Sequence, residues 1–275
     1  MSSISRRLLA GLSALLFSSW LGAAPSADLW ARWQQHDPNS SRSVDHQAWT
    51  DWLNAQIQVG NDGIHRIAYA KVSPAARKQL QDYLAALQAE AVSRLNRREQ
   101  WAYWINLYNA ATVEVVLAHY PVDSIRDIDI SPGFFANGPW GKALLEVEGV
   151  ALSLNDVEHR ILRPIWKDPR IHYAVNCASL GCPNLAREAF TPERLDSQLN
   201  AAARAFVNHP RGARVENGEL TVSSIYAWFE EDFGDSEAAV VRHLQRYAGP
   251  DLKRLLGART GIDDDDYDWR LNDAR

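Results

Sequence analysis

The sequence predicts an α+β fold: a mainly helical single domain in which a buried central helix packs on a small, mostly antiparallel sheet. Three observations carry this. Residues 100–113 (QWAYWINLYNAATV) hold no formal charge, and their apolar side chains fall all round the helical wheel, so the helix they form is buried on nearly every side. Two segments alternate about tight-turn pairs, residues 144–152 about Glu148-Gly149 and residues 213–222 about Asn217-Gly218, the pattern of short antiparallel hairpins. No Ser/Pro/Gly-rich linker or shift of composition divides the roughly 250 residues that follow the first 24, which favours one domain.

Residues 1–24 read as a secretory signal peptide. Arg6 and Arg7 form a short basic region, an apolar run of about 14 residues follows, and small residues close it. That run is shorter than the roughly 20 residues a bilayer span needs, and no other stretch comes close, so no transmembrane segment is expected after cleavage. The expected product is periplasmic or secreted. The domain proper is placed at residues 25–275, with Trp-containing helices over about 28–58 and a core over about 60–275.

The elements follow in order. Trp30 with Trp33 and Trp49 with Trp52 stand at i, i+3, the spacing of two short amphipathic helices joined by the polar stretch 36–42. These tryptophans either pack the helices onto the domain or form a platform that stacks on a glycan. Ser73-Pro74 opens a helix expected to reach about Asn96, with Pro74 at its first position, where no N–H is needed. The central helix spans residues 100–119. Residues 131–142 (SPGFFANGPWGK) form a long loop whose Phe134, Phe135 and Trp140 suit a cleft rim. Ser153 and Asp156 make a capping box for a helix over 154–165, residues 170–175 (RIHYAV) read as a strand, and Thr191-Pro192 starts a helix to about Val207. Helices over 224–232 and 236–256 precede an acidic run, residues 263–266, read as a solvated turn.

Composition narrows the function. A net charge of −5, becoming −7 with 27 basic and 34 acidic side chains once the first 24 residues are removed, leaves no basic surface for phosphate neutralisation, so nucleic acid is not an expected partner. Motifs for serine hydrolases, nucleotide binding and zincin chemistry are absent, and no cofactor is implied. Small-molecule, peptide and glycan ligands remain compatible.

Two anomalies mark where chemistry belongs. Glu158 falls inside the apolar stripe of its helix, with His159 at the edge; an unpaired buried carboxylate costs several kcal/mol, so Glu158 needs a partner such as Arg163, a histidine or backbone N–H groups. Asn106 and Asn109 share one face of the central helix and need partners for the same reason, as a core-bracing network or as the lining of a polar cavity. The second anomaly is residues 172–183 (HYAVNCASLGCP), which hold both cysteines of the chain. Cys177 and Cys182 are compatible with a short disulfide, with a reactive thiolate whose base is His172 or His159, the imidazole oriented by Glu158 or Asn176, and, less well, with a zinc site made with His172 and His159; the C-x4-C spacing is loose for zinc, and no metal ligand set is assigned. The five-residue separation of His172 from Cys177 sets them on opposite faces of a regular strand, so a His172–Cys177 pairing requires the strand to end by Asn176.

These segments, residues 104–110 (WINLYNA), 153–163 (SLNDVEHRILR), 172–183, 223–234 (SSIYAWFEEDFG) and 267–272 (YDWRLN), in this order, resemble the DUF547 family, a domain of unknown function of bacterial and plant proteins. The motif carries over to Asn106, Asn109, Glu158, His159, His172, Asn176, Cys177, Ser179, Cys182 and Pro183 without departure. The resemblance implies no reaction. The expectation is therefore an exported cell-envelope protein with a polar cleft: catalytic candidates Cys177, His172, His159, Glu158 and Asn176, binding candidates Asn106, Asn109, Ser179, Cys182 and Trp140. It acts as a thiol-dependent enzyme or thiol-ligand binder; the alternative is a non-catalytic module for a peptide, glycan or protein, with a structural Cys177–Cys182 disulfide.

Overall fold

A computed structural model of the chain describes residues 25–133 and 137–275. The export signal expected over residues 1–24, and Phe134 and Phe135 of the expected cleft rim, lie outside the described residues. Among the described residues the architecture is mainly helical with three small sheets. A 3-10 turn, Ala31–Gln34, precedes helix α1, Gln47–Gln56, which runs into strand β1, Ile57–Val59, paired antiparallel with β2, His65–Ile67. Trp33, Trp49 and Trp52 are all buried: Trp33 meets Trp104 edge-on at 5.1 Å, Trp49 stacks on Trp52 and Tyr83, and the Trp52 indole N–H donates to the Ala76 carbonyl. Packing, not glycan stacking, occupies these three rings.

Helix α2, Pro74–Gln88, begins as expected with the Ser73 hydroxyl accepting from the Ala76 N–H, but it ends eight residues before Asn96. Asn96 instead caps the next helix, α3, Arg97–His119, accepting from the Arg98 and Glu99 N–H groups, so the central helix starts three residues earlier than its uncharged stretch suggests. Every residue from position 99 to 113 is buried. Its charged and amide members at the start find partners, Glu99 accepting from the Val44 N–H and the Gln100 amide donating to the carbonyls of Gln35 and Val92, whereas Trp101 Nε1 and Thr112 Oγ1 have none. Helix α3 packs on α2 and on the helix that carries Glu158.

Strands β3, Leu145–Val147, and β4, Val150–Leu152, form the expected hairpin, with Glu148 and Gly149 both at positive φ in its turn. The helix capped by Ser153 is wound as a π-helix over Asp156–Leu162 before regaining α geometry in α4, Arg163–Trp166. A π-bulge rotates side chains relative to a regular helix and is common at functional sites. The predicted strand over 170–175 is corrected: Pro169–Tyr173 is a 3-10 helix. Asp168 caps it by accepting from the Arg170 N–H and Pro169 presets its first turn, local signals that outweigh the β-branched and aromatic content of the segment.

Helix α5, Leu195–Val207, leads to the hairpin β5, Ala213–Glu216, and β6, Glu219–Ser223, which turns at Asn217-Gly218 as expected. The helix expected over 224–232 is broken at Phe229 into α6, Ile225–Trp228, and α7, Glu230–Phe233, and the one expected over 236–256 is divided by Gly249-Pro250 into α8, Glu237–Tyr247, and α9, Pro250–Leu256. The acidic run is also corrected: Asp264–Asp266 is an exposed edge strand, β7, parallel to β6, rather than a turn. Arg214 on β5 pairs with Asp266 at 2.7 Å and supplies one reason the edge tolerates three aspartates. Apolar side chains gather in two clusters, one around α3 and one around Tyr173, Phe206, Tyr226 and Leu244.

Burial makes two histidines sensors of acid. His46, with Nδ1 2.6 Å from the Tyr83 hydroxyl, and His243, 2.9 Å from the Tyr173 hydroxyl, are both lowered to about 4 by desolvation. The unfolded chain binds these protons near pH 6.5 and the folded chain does not, so stability is full above about pH 6.5 and falls as pH drops toward 4, by roughly 3 kcal/mol for each group. Urea unfolding of His46→Gln should show a shallower loss over that window; an unchanged slope contradicts the assignment.

Candidate functional site

The site is built on the buried asparagines of α3. Asn106 donates to the Phe190 carbonyl at 2.8 Å and accepts from the Phe190 N–H at 3.0 Å; Asn109 donates to the Ala174 carbonyl and accepts from the Asn176 N–H, both at 2.8 Å. Each amide thus closes a two-bond bracket on a segment with no regular ladder of its own. Asn109 clamps the point where the 3-10 helix gives way to the cysteine loop. Asn176 carries the restraint onward, donating to the Pro183 carbonyl and accepting from the Ala178 N–H. Ala178 adopts positive φ, 57°, a left-handed conformation that costs a non-glycine residue about 1 kcal/mol. Its carbonyl accepts from the Asn272 N–H, and Ser179 pairs with Leu271, so the C-terminal segment holds the strained turn in place.

That turn brings the sulfurs together. Cys177 is half-buried, Cys182 is buried, and both are free thiols, with Sγ atoms 3.0 Å apart. The Cys177 N–H also donates to Cys182 Sγ. Around Cys177 Sγ stand Ser179 Oγ at 3.2 Å and the Tyr267 hydroxyl at 3.0 Å, themselves 2.8 Å apart. The hydroxyls of Ser179 and Tyr267 both lie within hydrogen-bond distance of Cys177 Sγ and of each other. The Cys182 thiol lowers the Cys177 pKa most; burial opposes it, and Ser179 and Tyr267 reinforce it, for a value of about 7. Burial, and then Cys177 itself, push Cys182 well above the ordinary thiol range, so the proton resides on Cys182 and the charge on Cys177. Tyr267→Phe removes one donor and should raise the apparent pKa of Cys177 by less than one unit with folding unchanged; no shift in the alkylation profile would show that the hydroxyl serves only Ser179.

The histidines expected to serve the thiol belong to a second cluster. His172 is buried against Phe229, ring centroids 4.2 Å apart; Nε2 lies 2.7 Å from Asp232 Oδ2 and Nδ1 lies 3.9 Å from Glu158 Oε1. Arg163, its side chain 1% exposed, donates through Nε to Asp232 and through Nη2 to Glu231, both at 2.6 Å, and through Nη1 to the Pro25 carbonyl. Arg163 therefore pairs with Asp232 and Glu231 rather than with Glu158. His159 Nδ1 lies 3.1 Å from Arg163 Nη1; burial lowers the pKa of the ring most, the charge of Glu158 opposes this, and Arg163 reinforces it. The hydrogen-bond partners of Cys177 are Cys182, Ser179 and Tyr267, and those of His172 and His159 lie in the Asp232–Arg163 network. Tyr108 of α3 is fully buried between the two: its phenol is raised by desolvation first and then by the charges of Glu158, Cys177 and Cys182.

Trp140 is half-buried and meets Trp269 edge-on at 6.0 Å, in an aromatic run that continues through Trp228 to Tyr267 and so to Cys177. Sequence reasoning missed Tyr267 and Asp232 as site residues, although both fall in segments quoted for the family resemblance. A lone tyrosine after an acidic run, or an aspartate within Glu230-Glu231-Asp232, gives no signal by spacing. Among the described residues no group of three or more His, Cys, Asp or Glu is arranged to hold a metal ion, and no helix is long and apolar enough to cross a membrane.

No curated protein and no solved structure matches the chain. The family model described as a protein of unknown function, DUF547, matches residues 92–207, a stretch that runs from the approach to α3, through the π-helix and the cysteine loop, to the end of α5. The asparagine brackets, Glu158, His159, His172 and both cysteines all lie inside the stretch that is similar to that family.

Proposed function

We propose that the protein is an exported thiol–disulfide exchange protein whose reactive group is Cys177 and whose resolving group is Cys182. The observation that supports it most is the pair of free sulfurs 3.0 Å apart, one half-buried with a pKa near 7 and the other buried and protonated. A thiol with a pKa close to ambient pH is near the optimum for attack, combining thiolate population with nucleophilicity. The Cys177 thiolate attacks one sulfur of a substrate disulfide; the S–S bond breaks, the first substrate thiol leaves, and a mixed disulfide forms. With the charge on Cys177 gone, one cause of the raised Cys182 pKa is gone as well. Cys182 then loses its proton and attacks Cys177 Sγ, forming the internal disulfide and releasing the second substrate thiol. Two electrons pass from the protein dithiol to the substrate, and an external dithiol returns them. Asn109 and Asn176 position the loop, and the His172–Asp232–Arg163 network is a bracing unit behind it.

Equilibration with glutathione redox buffers, followed by mass spectrometry, tests this. The expected result is reversible loss of two hydrogens from the wild type and accumulation of a Cys177–glutathione adduct in Cys182→Ser. A disulfide that forms and that excess reduced glutathione cannot open marks a structural bond and favours the non-catalytic binding module. Absence of both adduct and disulfide rejects thiol exchange.

A further inference from the structure

An open groove of about 850 Å³ lies beside the cysteine loop, and its wall is unusually rich in guanidinium groups: four arginines against three aspartates. Three of the arginines are neutralised within the wall, Arg66 by Asp62 at 2.6 Å, Arg214 by Asp266 at 2.7 Å and Arg270 by Asp268. Arg211 is different. Among the described residues no carboxylate lies within ion-pair distance of it; Nη1 donates to the Leu180 carbonyl at 2.7 Å, Nη2 donates to Asn184 Oδ1 at 2.6 Å, and its enclosed Nε has no hydrogen-bond partner. His209 adds no compensating charge, since its Nδ1 accepts from the Arg211 N–H while Nε2 donates to the Asp62 carbonyl. A largely desolvated guanidinium held only by neutral acceptors forgoes the stabilisation of a counterion.

We propose that this groove is a binding site for a carboxylate-bearing ligand, with Arg211 as its counterion. The chemistry of the wall selects the anion. With one cation in excess in the wall, a monoanion is matched, whereas a dianionic phosphate meets Asp62, Asp266 and Asp268 with no second unpaired arginine among the described residues that line the groove. Ile64, Leu180, Tyr267 and Trp269 supply apolar surface, so an acid with an aromatic or aliphatic body fits better than a bare ion. Gly181 keeps this wall narrow: a Cβ there would stand 2.8 Å from the Asp268 nitrogen and 3.0 Å from the Tyr267 ring. The site adjoins the thiols through Tyr267, which lines the groove and contacts Cys177 Sγ, but the binding stands independently of any thiol chemistry.

The test uses benzoate and its neutral analogue benzamide as probes of the full chain, followed by NMR at the Gly181 amide and the Trp269 indole. Benzoate should give saturable shifts at matched ionic strength, benzamide none, and phosphate weaker shifts than benzoate. Arg211→Gln should weaken benzoate by about tenfold or more and Arg211→Lys by less. Equal shifts with benzoate and benzamide, or an Arg211→Gln variant that binds benzoate like the wild type, would show that Arg211 merely braces the cysteine loop. If Arg211→Gln does not fold, the benzoate–benzamide comparison on the unaltered chain decides the matter.

Discussion

Asn109→Ala is expected to destabilise the protein by roughly 2–5 kcal/mol, because it orphans two buried backbone groups at once, the Ala174 carbonyl and the Asn176 N–H, each of which costs about 1–3 kcal/mol unpaired. The side chain is 2% exposed and sits in the middle of the most enclosed helix of the chain, so water cannot readily replace it. Denaturant unfolding measures the loss directly. A second consequence separates the bracket from ordinary core packing. Asn176, once released, no longer fixes Ala178 at positive φ, and the loop that presents Cys177 loosens. The variant should therefore also show a less reactive Cys177 at neutral pH, while Leu107→Ala on the same helix loses stability without that change. A destabilisation below about 1 kcal/mol would mean that the bracket contributes little.

Cys182→Ala is expected to raise the apparent pKa of Cys177 from about 7 toward the ordinary thiol value of ~8.5 and to reduce its alkylation rate at pH 7 by roughly tenfold. The physical reason is that the Cys182 thiol is the strongest of the stabilising donors to Cys177; Ser179 and Tyr267 remain and limit the rise. Cys182→Ser, which restores a hydroxyl donor close to the same place, should recover part of the rate. If both variants alkylate as fast as the wild type, the charge on Cys177 is set elsewhere and the pairing of the two sulfurs has no chemical role.

The parts of the structure legible in the sequence are those governed by one strong local signal. An uncharged run with apolar residues all round the wheel has few alternatives to a buried helix, and α3 is one; Glu148-Gly149 and Asn217-Gly218 leave little choice but hairpins. Where signals compete, composition alone misleads. Residues 170–175 have strand composition, yet Asp168 and Pro169 wind their start into a 3-10 helix, and Asp264–Asp266 become an edge strand only because β6 and Arg214 await them across more than forty residues. The site followed the same division. The need of Asn106, Asn109 and Glu158 for partners is readable from burial patterns alone. Which partners they find is not, since Phe190, Asn176 and His172 arrive from other elements. Sequence proximity suggested that His172 serves Cys177, but the 3-10 helix directs His172 toward Asp232 and Phe229, and the positive φ at Ala178 turns Cys177 toward Cys182 and Tyr267 instead.

The central claim, a low-pKa Cys177 whose proton is held by Cys182, is tested most directly by the pH dependence of iodoacetamide alkylation of the reduced protein, with each cysteine quantified separately by peptide mass spectrometry. The account predicts that Cys177 reaches half its maximal rate near pH 7 while Cys182 stays unmodified through the same range. A Cys177 midpoint at or above ~8.5, or a Cys182 that alkylates first, would contradict it.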